Sequence, residues 1–323
     1  MFIISIIVMN KDRSNKIIAV VGTTASGKTK LGVDLARKFN GEVVSADSRQ
    51  VYKGMDIGTG KDLSDYSFKS WLGKRVNIAY HLLDIAEPDQ DFDLAEFQKE
   101  SYKVIDDILS RGKLPIIVGG SGLYAQALVE GYELSSAGRN EELRREVEEL
   151  TPEELFKKIE HKDPDFASRI NQSDRGNKLR LTRYWERLNQ ETARSGSSFS
   201  PRYQALVLGL TYPPRQLQER IRLRLKQRLE QEGMIEEVKS LHQDRGLSWS
   251  RLESFGLEYK WVARYLQEKL DYEEMFQGLF RDIKKFSKKQ LTWLRRWQKQ
   301  GRQINWVKNN QEAGKRVKRF LKE

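Results

Sequence analysis

Gly22-Thr23-Thr24-Ala25-Ser26-Gly27-Lys28-Thr29 fills every fixed position of the pattern G-x-x-x-x-G-K-[ST]. It follows the apolar run Ile17-Ile18-Ala19-Val20-Val21 and leads into Leu31-Gly32-Val33-Asp34-Leu35-Ala36, so strand, loop and helix come in the order a phosphate-binding loop needs. The glycines permit a tight turn whose backbone N–H groups point inward, and the helix N-terminus adds the positive end of its dipole. Lys28 brings a mobile ammonium to the phosphates, and the Thr29 hydroxyl can ligate Mg²⁺. The chain is therefore expected to bind a polyphosphate or pyrophosphate ester. The loop alone does not say whether that phosphate is hydrolysed, transferred or expelled.

Strand-like apolar runs at 17–21, 42–46, 77–85, 114–118 and 205–210 alternate with helical patterns such as 31–39 and 94–110. Such alternation implies a parallel sheet covered on both faces, with ligands at the carboxyl ends of its strands. Between 131 and 200 the sequence turns charged and helical, and it ends in Ser195-Gly196-Ser197-Ser198-Phe199-Ser200-Pro201, a plausible return to the sheet. After Pro213-Pro214, Leu217, Ile221, Leu225 and Leu229 recur at helical spacing up to Gly233. The expected organisation is a core of 15–130 and 201–308 with C-terminal helices, a helical insertion at 131–200, and flexible ends at 1–14 and 309–323.

A chain of 323 residues with 38% hydrophobic content suffices for one large or two ordinary domains. It has no cysteine, and His81, His161 and His242 are scattered, which excludes disulfides and thiolate or histidine zinc sites. The apolar start, residues 1–9, lacks a positive n-region and meets Lys11-Asp12-Arg13; it fits a secretory signal poorly and is too short to span a bilayer. A cytoplasmic protein without a membrane partner is expected. The net charge of +12 is a property of residues 281–323, which carry 15 Lys/Arg against three Asp/Glu, while the rest of the chain balances. Such a block is usually a solvated face. Here it is interleaved with Phe286, Trp293, Trp297 and Trp306, and cations beside aromatic rings suit phosphate neutralisation and base stacking on nucleic acid.

Two carboxylates close strands near the expected phosphate end, Asp47 after 42–46 and Asp84 in His81-Leu82-Leu83-Asp84-Ile85. Either can be a general base, a Mg²⁺ partner or a turn cap, and the residues alone do not rank them. The run 114–118 resembles a strand that in ATPases ends in a Mg²⁺-holding acid, yet it ends in Gly119-Gly120-Ser121-Gly122, which weakens an ATPase reading. Those glycines mark either close backbone approach to a ligand or a tight turn. Arg220 and Arg224 are four apart on one helix face and can clamp a diphosphate or lie in solvent.

Taken together these segments resemble the tRNA isopentenyltransferase, or tRNA dimethylallyltransferase, family. The resemblance rests on the loop at 22–29, on Ser45-Ala46-Asp47-Ser48-Arg49-Gln50-Val51-Tyr52-Lys53-Gly54-Met55-Asp56-Ile57-Gly58-Thr59, and on His81-Leu82-Leu83-Asp84-Ile85. It rests also on Leu114-Pro115-Ile116-Ile117-Val118-Gly119-Gly120-Ser121-Gly122-Leu123-Tyr124 and on Lys288-Lys289-Gln290-Leu291-Thr292-Trp293-Leu294-Arg295. It implies a P-loop NTPase-like α/β fold, a parallel sheet flanked by helices with an inserted helical domain. The implied reaction moves a dimethylallyl group from dimethylallyl diphosphate to the exocyclic amine of the adenosine 3′ to the anticodon, releasing pyrophosphate. Mg²⁺ is the implied cofactor, the tRNA anticodon stem-loop the partner, and a monomer the expected state.

By the same resemblance Asp47 is the general base, and Thr24 and Arg224 support the leaving diphosphate, which sits on Gly22, Thr23, Thr24, Ala25, Ser26, Gly27, Lys28 and Thr29. The implied tRNA contacts are Asp47, Ser48, Arg49, Gln50, Ser121, Arg144, Arg180, Arg183, Lys288, Lys289, Gln290, Thr292 and Trp293. The chain departs from the family's pattern where Thr23 stands for proline, Ser121 for threonine and Lys289 for arginine. It also carries extra residues in Asp174-Arg175-Gly176-Asn177, and Phe255-Gly256-Leu257-Glu258-Tyr259-Lys260 in place of a shorter Gly-Tyr-[KR] segment. Competing readings are a P-loop small-molecule kinase, a prenyltransferase acting on free adenine nucleotides, and a non-catalytic RNA-binding protein.

Overall fold

The computed structural model describes residues 15–69, 73–134, 140–189 and 200–323. They fall into two compact units, Met1–Gly131 with Pro201–Glu323, and Tyr132–Ser200. The extension at 1–14 and residues 195–199 of the expected return lie outside the described residues.

In the larger unit the apolar run before the phosphate-loop motif is β1 (Lys16–Gly22), buried throughout. Its side chains alternate between two cores, Ile17, Ala19 and Val21 on one face of the sheet and Ile18 and Val20 on the other. A strand buried on both faces reads as a continuous hydrophobic run, as this one does. Helix α1 (Lys28–Phe39) leads to β2 (Gly41–Ser45), followed by a small antiparallel pair, β3 (Ser67–Lys69) with β4 (Arg75–Asn77), and by β5 (Tyr80–His81). Then come α2 (Leu94–Ser110), β6 (Leu114–Gly119) and α3 (Gly122–Glu130).

The smaller unit holds α4 (Glu141–Glu146), α5 (Pro152–Lys162), α6 (Pro164–Ser168), α7 (Gln172–Arg175) and α8 (Lys178–Asn189). It has its own core of Val147, Leu155, Ile159, Ala167, Ile170, Leu181 and Trp185. Thr151 and Glu154 cap α5 reciprocally, which satisfies orphan N–H groups of its first turn.

The larger unit resumes with β7 (Gln204–Leu210), α9 (Pro214–Glu230), α10 (Met234–Gln243), α11 (Trp249–Ser254), α12 (Leu257–Leu266), α13 (Tyr272–Lys299), β8 (Ile304–Trp306) and α14 (Asn310–Phe320). The main sheet has order β5-β2-β6-β1-β7-β8, and every pairing is parallel. The carboxyl ends of β1, β2, β6 and β7 therefore share one edge, where residues 22–27, 46–48, 119–120 and 211–212 lie. The Leu217, Ile221, Leu225 and Leu229 stripe of α9 is buried in a helical core with Val51, Met55, Leu252, Val262 and Leu279. Each such side chain contributes about 1.5–3 kcal/mol.

Two expectations need correction, and one strand was not foreseen. The run at 77–85 is not one strand: Asn77 ends β4, Tyr80 and His81 alone join the main sheet, and Leu82 and Asp84 take left-handed backbone (φ 62° and 56°) that breaks any extension. β8, three residues inside the basic tail, gives no legible period and was not foreseen. Residues 309–323 are not a flexible end: α14 buries Ala313, Gly314 and Val317, and Asn309 caps its first turn.

Candidate functional site

Gly27 caps α1 with a left-handed backbone (φ 82°), which turns the chain so that Lys28 opens the helix beneath the loop. The Lys28 ammonium leans on Thr23 O at 3.5 Å. Burial pulls its pKa down to about 8, against the pull of Asp47, while Arg224 pushes further down. Thr24 N–H does not point inward; it donates to Gln290 Oε1 at 2.8 Å, and Gln290 Nε2 donates to Gly120 O at 2.9 Å. One amide of α13 thus ties the phosphate loop to the end of β6.

The glycines after β6 are packing glycines. A Cβ on Gly120 would meet Gln290 Nε2 at 2.5 Å and Lys28 Nζ at 3.3 Å, and one on Gly122 would meet Trp293 Cδ1 at 2.3 Å. Close approach is the reason for them, and what approaches is α13 and Lys28.

Asp47 and Asp84, equivalent in sequence, separate in the structure. Asp47 follows β2, accepts from Arg49 N–H at 3.1 Å, and lies within electrostatic reach of Lys28; among the described residues it forms no ion pair. Asp84 is bound by Lys61 Nζ at 2.5 Å. Lys61, 1% exposed, also donates to Asp56 Oδ1 at 2.6 Å and to Tyr52 O at 2.8 Å, so it locks the loop of residues 52–61 from inside. Asp84 is thus neutralised by a buried lysine, whereas Asp47 is not.

On α9, Arg220 Nε donates to Ala25 O at 2.8 Å and its guanidinium lies 4.5 Å from the Tyr212 ring. Arg224 and Arg228 share Asp62, the latter at 3.3 Å. Burial, and then the charge of Arg228, disfavour the Arg224 cation and lower its pKa. The arginines at four-residue spacing thus split: Arg220 reaches the phosphate loop, while Arg224 and Arg228 sit within electrostatic reach of Lys28 and are held by Asp62. Arg228, Asp62 and Lys61 were not foreseen; for Arg228 the continued spacing from Arg220 and Arg224 was the available signal. Glu237 was missed as well. It accepts from the N–H groups of Asp56, Ile57 and Gly58 at 2.6–3.0 Å and from the Tyr259 hydroxyl at 2.7 Å, which fixes the segment beside Lys61.

A family model described as IPP transferase matches residues 50–297, and one described as Isopentenyl transferase matches residues 15–72. The chain belongs to the IPP transferase family. A relative named tRNA dimethylallyltransferase 2 from Citrifermentans bemidjiense is 42% identical over 93% of each chain. One of the same name from Treponema denticola is 43% identical over 92% of this chain and 96% of the relative. A crystal structure of the tRNA isopentenylpyrophosphate transferase of Bacillus halodurans superposes with a TM-score of 0.65 at 32% identity, covering 95% of this chain and 96% of that one. A eukaryotic dimethylallyltransferase acting on tRNA superposes with a TM-score of 0.72 at 25% identity, over 87% of this chain and 70% of that one. The family assigns the chain to prenyl transfer on tRNA, a transferase reaction, and lends nothing to the kinase alternative.

In this IPP transferase the residues expected to meet RNA divide into two kinds. Lys288, Lys289 and Thr292 are exposed on α13, as are Arg295, Arg296 and Lys299 further along the helix. Gln290 is buried by its two backbone bonds, and Gln50 is spent on Ser45 Oγ and on the carbonyls of Thr59 and Gly60. Ser121 accepts from Ser48 N–H at 3.2 Å, and Arg49 lies beside Gly256. Trp293 packs on Gly122 with its indole N–H on Gln126, and Trp297, 1% exposed, is core. On α13 the lysines and arginines named above face outward, while Trp297 lies in the core and the half-buried Trp293 packs on α3, so these two rings serve packing of an amphipathic helix. In the smaller unit Arg180 and Arg183 are exposed, Arg180 with Asp174 as partner, whereas Arg144 is largely buried in a two-armed pair with Glu186. Asp174, within the extra residues, also accepts from Tyr184 and Asn171 and so holds α7 against α8.

Proposed function

We propose that this chain transfers a dimethylallyl group from dimethylallyl diphosphate to the exocyclic amine of the adenosine 3′ to the anticodon in tRNA. The observation that carries the reading is that Lys28 and Asp47 lie within electrostatic reach of each other at one sheet edge, with Asp84 tied off by Lys61 and no acid at the end of β6. The diphosphate lies on the loop, with Lys28 below it and Arg224 at its side, and the N–H groups of Gly27, Lys28 and Thr29 at the helix N-terminus face it. The amine nitrogen bonds to the allylic carbon while the carbon–oxygen bond breaks, and its electron pair leaves with the pyrophosphate. Asp47 takes the proton released by the amine. Thr24 contributes through its hydroxyl, since its N–H is spent on Gln290. Lys28 and Arg224 hold the charge that grows on the leaving group.

Among the described residues no group of three His, Cys, Asp or Glu could hold a metal by itself. A Mg²⁺ ion would be held by the Thr29 hydroxyl together with diphosphate oxygens, a hard-oxygen set that fits it. Bound there, it would neutralise diphosphate charge.

RNA phosphates are met by Lys288, Lys289 and Thr292 on α13 in the larger unit and by Arg180 and Arg183 in the smaller. The target base must leave its stack to be reached. Labelled dimethylallyl diphosphate incubated with an anticodon stem-loop RNA tests the proposal, and transfer of the label to the RNA is expected. Equal rates on AMP would favour a prenyltransferase of free nucleotides, and phosphoryl transfer from γ-labelled ATP would favour a kinase.

A further inference from the structure

Five side-chain oxygens among the described residues are buried with no hydrogen-bond partner, and three of them, Thr23 Oγ1, Ser26 Oγ and Thr211 Oγ1, lie at the phosphate loop. A buried hydroxyl left unpaired is costly, so native proteins keep few of them and rarely together. Thr23 and Ser26 belong to the loop itself. Thr211 does not; it is brought there by the sheet. β7 runs parallel to β1 with Leu210 opposite Gly22, so Thr211 and Thr23 are the next residues on neighbouring strands. The loop folds directly over the end of β7: a Cβ on Gly22 would meet Leu210 O at 2.3 Å and Ser26 Oγ at 2.8 Å. The link onward from Thr211 also hugs the loop, because Tyr212 stacks on Arg220, which binds Ala25 O.

We infer that Thr211 is a further positioning residue of the diphosphate site, its hydroxyl acquiring a partner, together with those of Thr23 and Ser26, when the loop closes on a diphosphate. This rests on the donor reading above. No motif signals it, since Thr211 lies 182 positions beyond Thr29 and its role follows from strand order.

The test uses the full chain, inorganic pyrophosphate as probe, and the variants Thr211→Val, Thr211→Ala and Thr211→Ser. Removing an unpaired hydroxyl in favour of a methyl of the same shape leaves the thermal midpoint of the free Thr211→Val protein unchanged or higher. Its pyrophosphate Kd is expected to weaken about tenfold or more, the size of a lost hydrogen bond to an ordered anion site. Its KM for the prenyl diphosphate rises in step while its KM for RNA stays put. Thr211→Ser keeps near-wild-type affinity and Thr211→Ala loses it, a contrast that serves even if the valine variant folds poorly. Pyrophosphate affinity equal to wild type in both the valine and alanine variants overturns the inference and leaves the donor reading intact. A wild-type chain that does not bind pyrophosphate overturns both.

Discussion

Gln290 makes a bridge whose removal can be worked through from its contacts. Replacing it with alanine strips Thr24 N–H and Gly120 C=O of their partners in a place where the side chain is 7% exposed. Each orphaned backbone group costs about 1–3 kcal/mol, so the folded state loses about 2–6 kcal/mol, a large part of a typical domain's stability. A urea titration of the Gln290→Ala protein is expected to show a lower midpoint at unchanged slope. The phosphate loop also loses its tie to β6, and a bound anion must re-impose that geometry. Pyrophosphate affinity, measured by calorimetry, is therefore expected to weaken about ten- to a hundredfold, or roughly 1.4–2.8 kcal/mol. Affinity for an anticodon stem-loop, measured without the diphosphate, stays within about threefold, because the amide faces the loop and not solvent. The opposite pattern, weakened RNA binding with stability and pyrophosphate affinity unchanged, would refute the bridge and return Gln290 to direct RNA contact.

The two strand-end carboxylates are expected to respond differently to the same change. Asp47→Asn lowers kcat by about 10²–10⁴, the usual worth of a general base, and leaves RNA affinity within several-fold. Asp84→Asn costs about 1–2 kcal/mol of stability, modest because Asp84 is partly exposed, with kcat nearly unchanged; exchanged outcomes would move the base to Asp84. Burial lowers the Lys28 pKa from 10.5 to about 8, so the cost of its charge is fully present below about pH 8 and fades as pH rises towards 10.5. A diphosphate restores the cation, so binding near pH 9 takes up as much as one proton more than Lys28→Met does, and affinity weakens as pH rises past 8; calorimetry in buffers of differing ionisation enthalpy measures both. Lys288→Ala with Lys289→Ala is expected to reduce the slope of log K for RNA against log salt by about 1.4–1.8, at 0.7–0.9 per phosphate contact. An unchanged slope would make those lysines a solvated face only.

Much of the molecule was legible before folding because its signals are local. The loop at 22–29, the buried run of β1, and the leucine stripe of α9 are each written in consecutive or evenly spaced residues. So is the concentration of charge in residues 281–323, although the same residues misled on Trp297, whose indole belongs to the core, and on α14, whose stripe of Ala313, Val317, Phe320 and Leu321 has helical spacing but is masked by the surrounding charge.

Sequence alone determined a phosphate-loop motif at a strand-to-helix turn and a basic helix near the C-terminus, since glycine geometry, apolar spacing and charge act over a few residues. Tertiary structure alone decided which acid stays available, because Lys61 must fold into the interior before Asp84 is neutralised and Asp47 is not. It decided that Gln290 supports the loop and that Thr211 lies beside it, since parallel pairing of β1 with β7 and the crossing of α13 join residues hundreds of positions apart. Hydrogen bonds act over about 3 Å, and only the folded chain determines which groups come that close.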